Sequence, residues 1–274
     1  MKREPAPQPE TGIIFRKTGL PGGEYYETVI EAPIAAGKAV PGQFVHVRLP
    51  RSSDPLLRRP FSIAGAESGR LTILFKNVGR MTAEFALLAD GSELDVLGPL
   101  GNGYDLSKKT RNAFLVAGGY GIAPLLFLAR AIRDRKVADK IILIEGARNS
   151  SQLVWAEKAG GEKSWLEFMA ATDDGSVGRK GNAVEALAEA MKGKENDSQM
   201  FACGPMGMLA AMHQRWPAVP FQCAVENQMG CGIGVCQGCV LPLVQREGQP
   251  VYTRICHDGP VYDAGVIDWA RCPK

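Results

Sequence analysis

The chain has 274 residues, 45% of them hydrophobic and 22% charged, and a formal net charge of +3. That length exceeds the usual single domain and suits two or three, with enough apolar residues for a core in each. The charge is too small and too evenly spread to indicate nucleic acid or a membrane surface. No apolar run approaches the roughly eighteen residues of a membrane span.

Residues 1–10 are charged and proline-rich. They lack the apolar centre of a signal peptide and read as a disordered tail. From 11 to 106 short apolar runs, many of them alternating, are broken by Gly and Pro, at 12–16, 25–30, 44–49, 71–76 and 94–97. Val45, Val47 and Leu49 alternate with His46 and Arg48, the period-two pattern of a half-buried strand. One short helix is expected at 81–88. Several short strands with regular turns predict an antiparallel β-barrel.

Within that region lies Leu56-Leu57-Arg58-Arg59-Pro60-Phe61-Ser62-Ile63-Ala64. Arginine offers a planar fork of donors to phosphate, Phe61 an aromatic face and Ser62 a hydroxyl, which together match the needs of a flavin dinucleotide. The same residues also read as a basic turn before an ordinary strand. Leu74-Phe75-Lys76-Asn77-Val78-Gly79-Arg80-Met81-Thr82 then runs from a strand through glycine to a helix start, where N–H groups are open to phosphate. Gly98-Pro99-Leu100-Gly101-Asn102-Gly103 has the composition of a boundary.

From 107 to 218 strand and helix alternate. Strands are expected at 113–117, 140–145, 166–171 and 199–202, and helices at 124–135, 149–158, 182–191 and 205–215. Asn182 and Glu185 are spaced as a capping box. The fold class is therefore multidomain β plus α/β, its second domain a doubly wound parallel sheet that binds ligands beyond the strand ends. Two strand ends carry glycine: Gly118-Gly119-Tyr120-Gly121-Ile122-Ala123-Pro124, which lacks the G-x-G-x-x-G spacing, and Cys203-Gly204-Pro205. Cys203 suits a place beside a nicotinamide ring, and equally a small buried position. Residues 172–176, Thr-Asp-Asp-Gly-Ser, suit ribose hydroxyls or a plain turn. Arg148 suits a 2′-phosphate or solvent.

The last domain, 219–274, holds Cys231, Cys236 and Cys239 at C-x4-C-x2-C, with Cys256 following. This is the opening of a plant-type [2Fe-2S] site. Glycines at 230, 232, 234 and 238 let backbone N–H groups approach sulfur. Seven cysteines, an odd set with three inside nine residues, argue for redox or metal use in a reducing compartment, the cytoplasm. Cys223 and Cys272 read as ordinary small thiols. Four cysteines also suit structural zinc, although only Cys236 and Cys239 have its C-x2-C pairing. His46, His213 and His257 are scattered; His257 reads as a surface histidine beside a ligand. No Ser-His-Asp or paired-carboxylate set stands out for acid–base or nucleophilic catalysis.

The order Arg-Pro-Phe-Ser, Gly-Pro-Leu-Gly-Asn-Gly, Gly-Gly-x-Gly-x-Ala-Pro, Cys-Gly-Pro and C-x4-C-x2-C…C resembles the ferredoxin reductase superfamily. Within it, the chain from Thr11 onward is similar to the electron transfer subunits of dihydroorotate dehydrogenase B. The resemblance implies FAD on Arg59, Pro60, Phe61, Ser62, Leu74, Phe75, Lys76, Met81 and Thr82. It implies NAD as substrate at Gly118, Gly119, Gly121, Cys203, Gly204 and Pro205, and a [2Fe-2S] cluster on Cys231, Cys236, Cys239 and Cys256. The chain departs from the family with Met81 where Gly is usual and Lys76 where Arg is frequent. A Met side chain near the pyrophosphate and a point charge in place of a fork are expected to alter flavin affinity.

The resemblance further implies an FMN-containing catalytic subunit that oxidises dihydroorotate, in a heterotetramer of two plus two. Electrons would pass from it through the cluster and FAD to NAD+, with no catalytic acid or base on this chain. Sulfide dehydrogenases, bifurcating transhydrogenases and sulfite reductases have similar subunits. The transhydrogenase branch uses a carboxylate among the cluster ligands, against which the four cysteines argue.

Overall fold

A computed structural model describes residues 7–49, 54–154, 164–246 and 248–272. The first unit is a closed barrel of β1 (Pro9–Gly19), β2 (Tyr25–Glu31), β3 (Phe44–Arg48), β4 (Arg59–Glu67), β5 (Arg70–Lys76) and β6 (Glu93–Leu100), in the order β1-β2-β5-β4-β3-β6. Two short helices accompany it, α1 (Pro33–Ala36) and α2 (Arg80–Leu87). Alternation drives the barrel: Val45, Val47, Phe61 and Ile63 point inward with Ile14, Ile30 and Ile73, while the intervening residues face out. Phe85 from α2 closes the core. It is fully buried, stacked on Phe75 at 4.7 Å between centroids and set edge-on to Phe61 at 5.7 Å.

The barrel differs from expectation at two places. β1 begins at Pro9, inside the segment read as a tail, and its first five residues, Pro9 to Ile13, pair with β6. The Arg59 motif is itself strand rather than a turn before one, with β4 paired to β3 at Pro60↔His46 and Phe61↔Val45.

The second unit is a seven-stranded sheet of β7 (Thr110–Gly118), β8 (Ala138–Ala147), β9 (Glu167–Thr172), β10 (Arg179–Lys180), β11 (Ser198–Cys203), β12 (Phe221–Ala224) and β15 (Val261–Asp263), ordered β10-β9-β8-β7-β11-β12-β15. All pairings are parallel except β12 with β15. Helices α3 (Ile122–Arg135), α4 (Ala183–Met191) and α5 (Met206–Arg215) pack on it. The α4 capping box forms as expected, the Asn182 side chain accepting from the Glu185 N–H at 3.0 Å. Of the helix expected at 149–158, Ser150–Gln152 is a single 3₁₀ turn and the portion beyond Val154 lies outside the described residues.

The third unit comprises the cysteine loop, a hairpin of β13 (Val240–Arg246) and β14 (Gln249–Arg254), and α6 (Ile255–Asp258). The sequence boundary at 218/219 divides what the fold joins. β12 belongs to the parallel sheet, and β15 returns from the cysteine unit to that sheet's edge. Among the described residues no helix is long and apolar enough to cross a membrane.

The Phe85→Ala variant is expected to cost about 3–5 kcal/mol, because the cavity it leaves lies among rigid aromatic rings. A denaturant titration of the full chain measures this.

Candidate functional site

The parallel sheet reverses its strand order between β7 and β11, and there both strand ends bring glycine to a close crossing. A Cβ on Gly118 would stand 2.6 Å from Pro205 Cδ, and one on Gly204, at φ +159°, would stand 2.9 Å from the Gly118 nitrogen. A cavity of about 880 Å³ opens over this crossing and runs to the outer wall of the barrel. That volume lies within the range of cofactor sites.

The cavity gathers most of the sequence-predicted residues. Arg59, Pro60 and Ser62 wall one side, with Leu74 and Lys76 beside them; Phe61 and Phe75 also border it, but their rings pack on each other and on Phe85 in the barrel core. Met81 and Thr82 stand at the start of α2, and Gly118, Cys203, Gly204 and Pro205 form the sheet end. Gly119 and Gly121 are not in the wall. Gly121 packs so closely under β11 that a Cβ would overlap the Cys203 carbonyl, and Gly119 makes a turn at φ +57° with open space around it. Local backbone geometry accounts for glycine at both positions.

Polar groups in the wall fit a dinucleotide. The Thr82 hydroxyl accepts the N–H groups of Val78 and Gly79, each at 3.0 Å, and fixes the turn into α2. The first-turn N–H groups of α2 then face the cavity without helical partners, as phosphate binding requires. Arg59 folds back to donate to the Leu57 carbonyl at 3.0 Å, and Lys76 pairs with Glu24 at 2.9 Å, which raises its pKa. Met81 is 3% exposed and packs in the barrel core while also bordering the cavity. The Thr172–Ser176 segment is a self-bonded turn, with Gly175 N–H donating to the Thr172 carbonyl at 3.1 Å.

A group of side chains that no motif marked lies at the sheet end. Glu226, open to the cavity, accepts from the Tyr120 hydroxyl and sits 3.8 Å from the Cys203 thiol. Close surroundings push the Glu226 pKa up, against the pull of those two hydrogen bonds. Burial and then Glu226 push Cys203 well up, so it is a neutral thiol rather than a nucleophile. Cys223 is buried in the core, and Cys272 donates to the Asp268 carbonyl at 3.3 Å, both consistent with ordinary thiols.

Residues 226–229 line the cavity and lead directly into the cysteine loop. The four thiols are arranged two and two: Cys231 hydrogen-bonds to Cys236, and Cys256 to Cys239. Among the described residues no three His, Cys, Asp or Glu side chains converge as one ion would need. Two thiol pairs match the two irons of a [2Fe-2S] centre better than one tetrahedral ion. Backbone N–H groups point at the sulfurs as the glycine pattern predicted: Gly234 to Cys256 at 3.1 Å, Cys236 to Cys231 at 3.4 Å and Gly238 to Cys236 at 3.5 Å. Gly232 and Gly234 take φ of +72° and +78° to achieve this.

Burial raises the Cys231 pKa, but the N–H groups of Cys236, Ile233 and Val235 outweigh it and bring the thiol down to about 6. Cys256 is pushed up to about 12, by burial first and by its bond with Cys239 second. Arg254 braces the two ligand segments, donating to the Gly234 carbonyl at 3.1 Å and to both oxygens of Asp258. His257 is exposed and bonds Asp258 at 2.7 Å, in keeping with a surface histidine. The loop faces outward, with Cys236 exposed and Val235 74% exposed beside Ile233.

His46 is the second group that sequence reasoning passed over. It is fully buried on the outer face of β3, and its Nδ1 would be 2.5 Å from a Cβ on Gly232. Burial, then the charge of Arg58, brings its pKa down to about 4; the Cys231 backbone opposes this, as a carbonyl acceptor does. Its position was readable from the Val45/Val47 alternation, but nothing in the sequence showed what would cover it.

The family model for the iron–sulfur cluster binding domain of dihydroorotate dehydrogenase B matches residues 226–268, and that for the oxidoreductase NAD-binding domain matches 115–214. The dihydroorotate dehydrogenase B (NAD(+)) electron transfer subunit of Geobacillus kaustophilus is 37% identical over 246 residues, covering 88% of this chain and 92% of the relative. The subunit of the same name from Enterococcus faecalis is 35% identical, covering 93% and 96%. Among solved structures, the NADH-dependent reduced ferredoxin-NADP oxidoreductase superposes with a TM-score of 0.79 at 26% identity, over 98% of this chain and 92% of that one. A ferredoxin NADP+ reductase from Neisseria gonorrhoeae shares the fold, with a TM-score of 0.64 at 17% identity over 75% and 89%.

The His46 environment has a consequence for stability. A folded pKa near 4 lies below the unfolded value near 6.5, so the native state favours the neutral ring. That contribution is complete above pH 6.5 and is lost as pH falls toward 4. Urea titrations at pH 7 and pH 5 are expected to show a smaller loss of unfolding free energy in His46→Asn than in the native chain.

Proposed function

The chain belongs to the dihydroorotate dehydrogenase B electron transfer subunit family, and from that membership we propose that it carries electrons from a catalytic partner subunit to NAD+, as an oxidoreductase subunit of pyrimidine biosynthesis. The observation that carries this reading is the continuity of one cavity. Its wall runs from the Arg59–Ser62 strand, past the Gly118/Cys203 crossing and along residues 226–229, which lead in sequence into the ligand loop. When bound, FAD in that cavity supplies the exchange between single electrons and a hydride, and a [2Fe-2S] cluster on the four cysteines supplies single-electron transfer.

The residues of this chain do the positioning. Arg59, released from its own backbone, and the first turn of α2 would hold the flavin pyrophosphate, with Pro60 and Ser62 along the ring system. Gly118, Gly204 and Pro205 leave the open crossing over which NAD+ would lie, with Cys203 and Glu226 beside the nicotinamide. Cys231 with Cys236, and Cys239 with Cys256, would each take one iron. Cys231 gives up its proton readily at pH 7, whereas Cys256 must be deprotonated as metal binds.

The outward cluster loop, with Val235 and Ile233 exposed on it, supports a docked partner. The partner we propose is an FMN-containing dihydroorotate dehydrogenase subunit, assembled two plus two. The likeness to the NADH-dependent ferredoxin-NADP oxidoreductase favours a second reading, a related flavin and iron–sulfur oxidoreductase with another partner. The all-cysteine ligand set weighs against it.

Purification with the partner is expected to give a yellow-brown complex with about two irons, two sulfides and one FAD per chain. It is expected to reduce NAD+ when given dihydroorotate. A colourless chain with one zinc and no sulfide sinks the cluster; a loaded complex inert toward dihydroorotate sinks the pyrimidine assignment. The Arg59→Ala variant should lose a charge-assisted contact of about 1.5–3 kcal/mol, roughly tenfold to a hundredfold in flavin affinity. Fluorescence titration of released FAD reads that loss.

A further inference from the structure

His46 stands where the barrel wall, the cavity and the ligand loop meet. It lies on the same outer face of β3 as Phe44, a cavity residue, and pairs across the ladder with Pro60 of the flavin strand. On its other side the ring presses on Gly232, the residue after the first ligand, at a place where φ is +72° and no Cβ fits. The imidazole is fully buried, and neither ring nitrogen reaches a protein partner at full hydrogen-bond geometry. The Cys231 backbone is the acceptor it faces. A buried imidazole without a satisfied nitrogen is costly and has to be explained by what it orients. A space-filling role would be served better by Leu or Met, which carry no such cost.

We propose that His46 is a positioning residue for the cluster, its imidazole holding the Cys231–Gly232 end of the ligand loop against the barrel strands that wall the flavin cavity. The inference rests on the reading of the four cysteines as a [2Fe-2S] site. A group that orients the backbone of a ligand, rather than the ligand atom, sets how rigidly that ligand is held and how much water reaches the sulfur. Both affect a cluster's potential and its resistance to loss. An imidazole carries a ring N–H, and His46 faces the Cys231 backbone carbonyl that can accept it.

The test uses the full chain co-purified with its catalytic partner, with His46→Leu and His46→Asn compared to the native complex. The readouts are the cluster's electron paramagnetic resonance g-values, its midpoint potential and its rate of loss to a chelator, with flavin content and thermal midpoint as controls. His46→Leu is expected to shift the g-values, lower the potential and speed cluster loss about tenfold or more. His46→Asn, which keeps an N–H donor near the Nδ1 position, is expected to restore most of each.

Native spectra and potential in His46→Leu overturn the proposal, whatever happens to its thermal midpoint, and so does an Asn variant as impaired as Leu. Should the Leu variant fail to accumulate, Asn and Gln are compared. Gln carries its donor one bond further out and is expected to differ from the native signature more than Asn, and identical spectra for the two overturn the proposal. The absence of iron and sulfide from the native complex would instead remove the cluster reading on which it rests.

Discussion

One pair of strands with two differently used faces organises this protein. The inward residues of β3 and β4, Val45, Val47, Phe61 and Ile63, fill the barrel and are paid for by apolar burial. Their outward neighbours, Phe44, His46, Pro60 and Ser62, are left for other partners, and the cavity and the cysteine loop take them up. A one-residue slip in the β3–β4 register would turn the flavin wall into the core and the core into the cavity. The pairing Phe61↔Val45 is therefore a functional constraint as much as a structural one.

How much of this was legible depended on whether the signal was local. The capping box of α4 and the thiol spacing are local chemistry; the box forms as read, and the fold brings the four thiols together as two pairs. The Val45/Val47/Leu49 alternation is local too, and it placed a strand correctly. Arg58-Arg59-Pro60 concealed the start of β4, since charge and proline both speak against a strand interior. The structure admits them because the Asp95 carboxylate pairs Arg58 with Arg48, and because Pro60 faces the cavity. β15, three residues long, carries too little pattern to announce that it caps a sheet begun some 150 residues earlier. Glu226 and Tyr120 belong to no spacing motif; only the fold brings them to Cys203. Gly119 and Gly121 share a glycine-rich stretch with Gly118 but stand outside the cavity wall, Gly119 at a left-handed turn and Gly121 packed under β11.

The cysteine unit is held by its two ends. The chain leaves the sheet after β12, forms the loop, hairpin and α6, and rejoins as β15 beside the strand it left. The crossing is closed by the Val225 N–H on the Pro260 carbonyl at 2.9 Å. Asn102 ties the end of the barrel to the same point, its amide donating to the Asp258 carbonyl at 3.1 Å and accepting the Val261 N–H at 3.1 Å. The Gly98–Gly103 stretch, whose composition marked a boundary, is thus a clamp between all three units. Flexible turns between domains normally permit relative motion. Here the polar contacts at Asn102 and the buried face of β3 oppose it on two sides of the loop. A chain that must keep two redox sites at a fixed separation benefits from this arrangement, because electron transfer depends steeply on distance. The fold meets that need by returning the cluster-bearing segment to the sheet, and by covering His46 with its ligand loop.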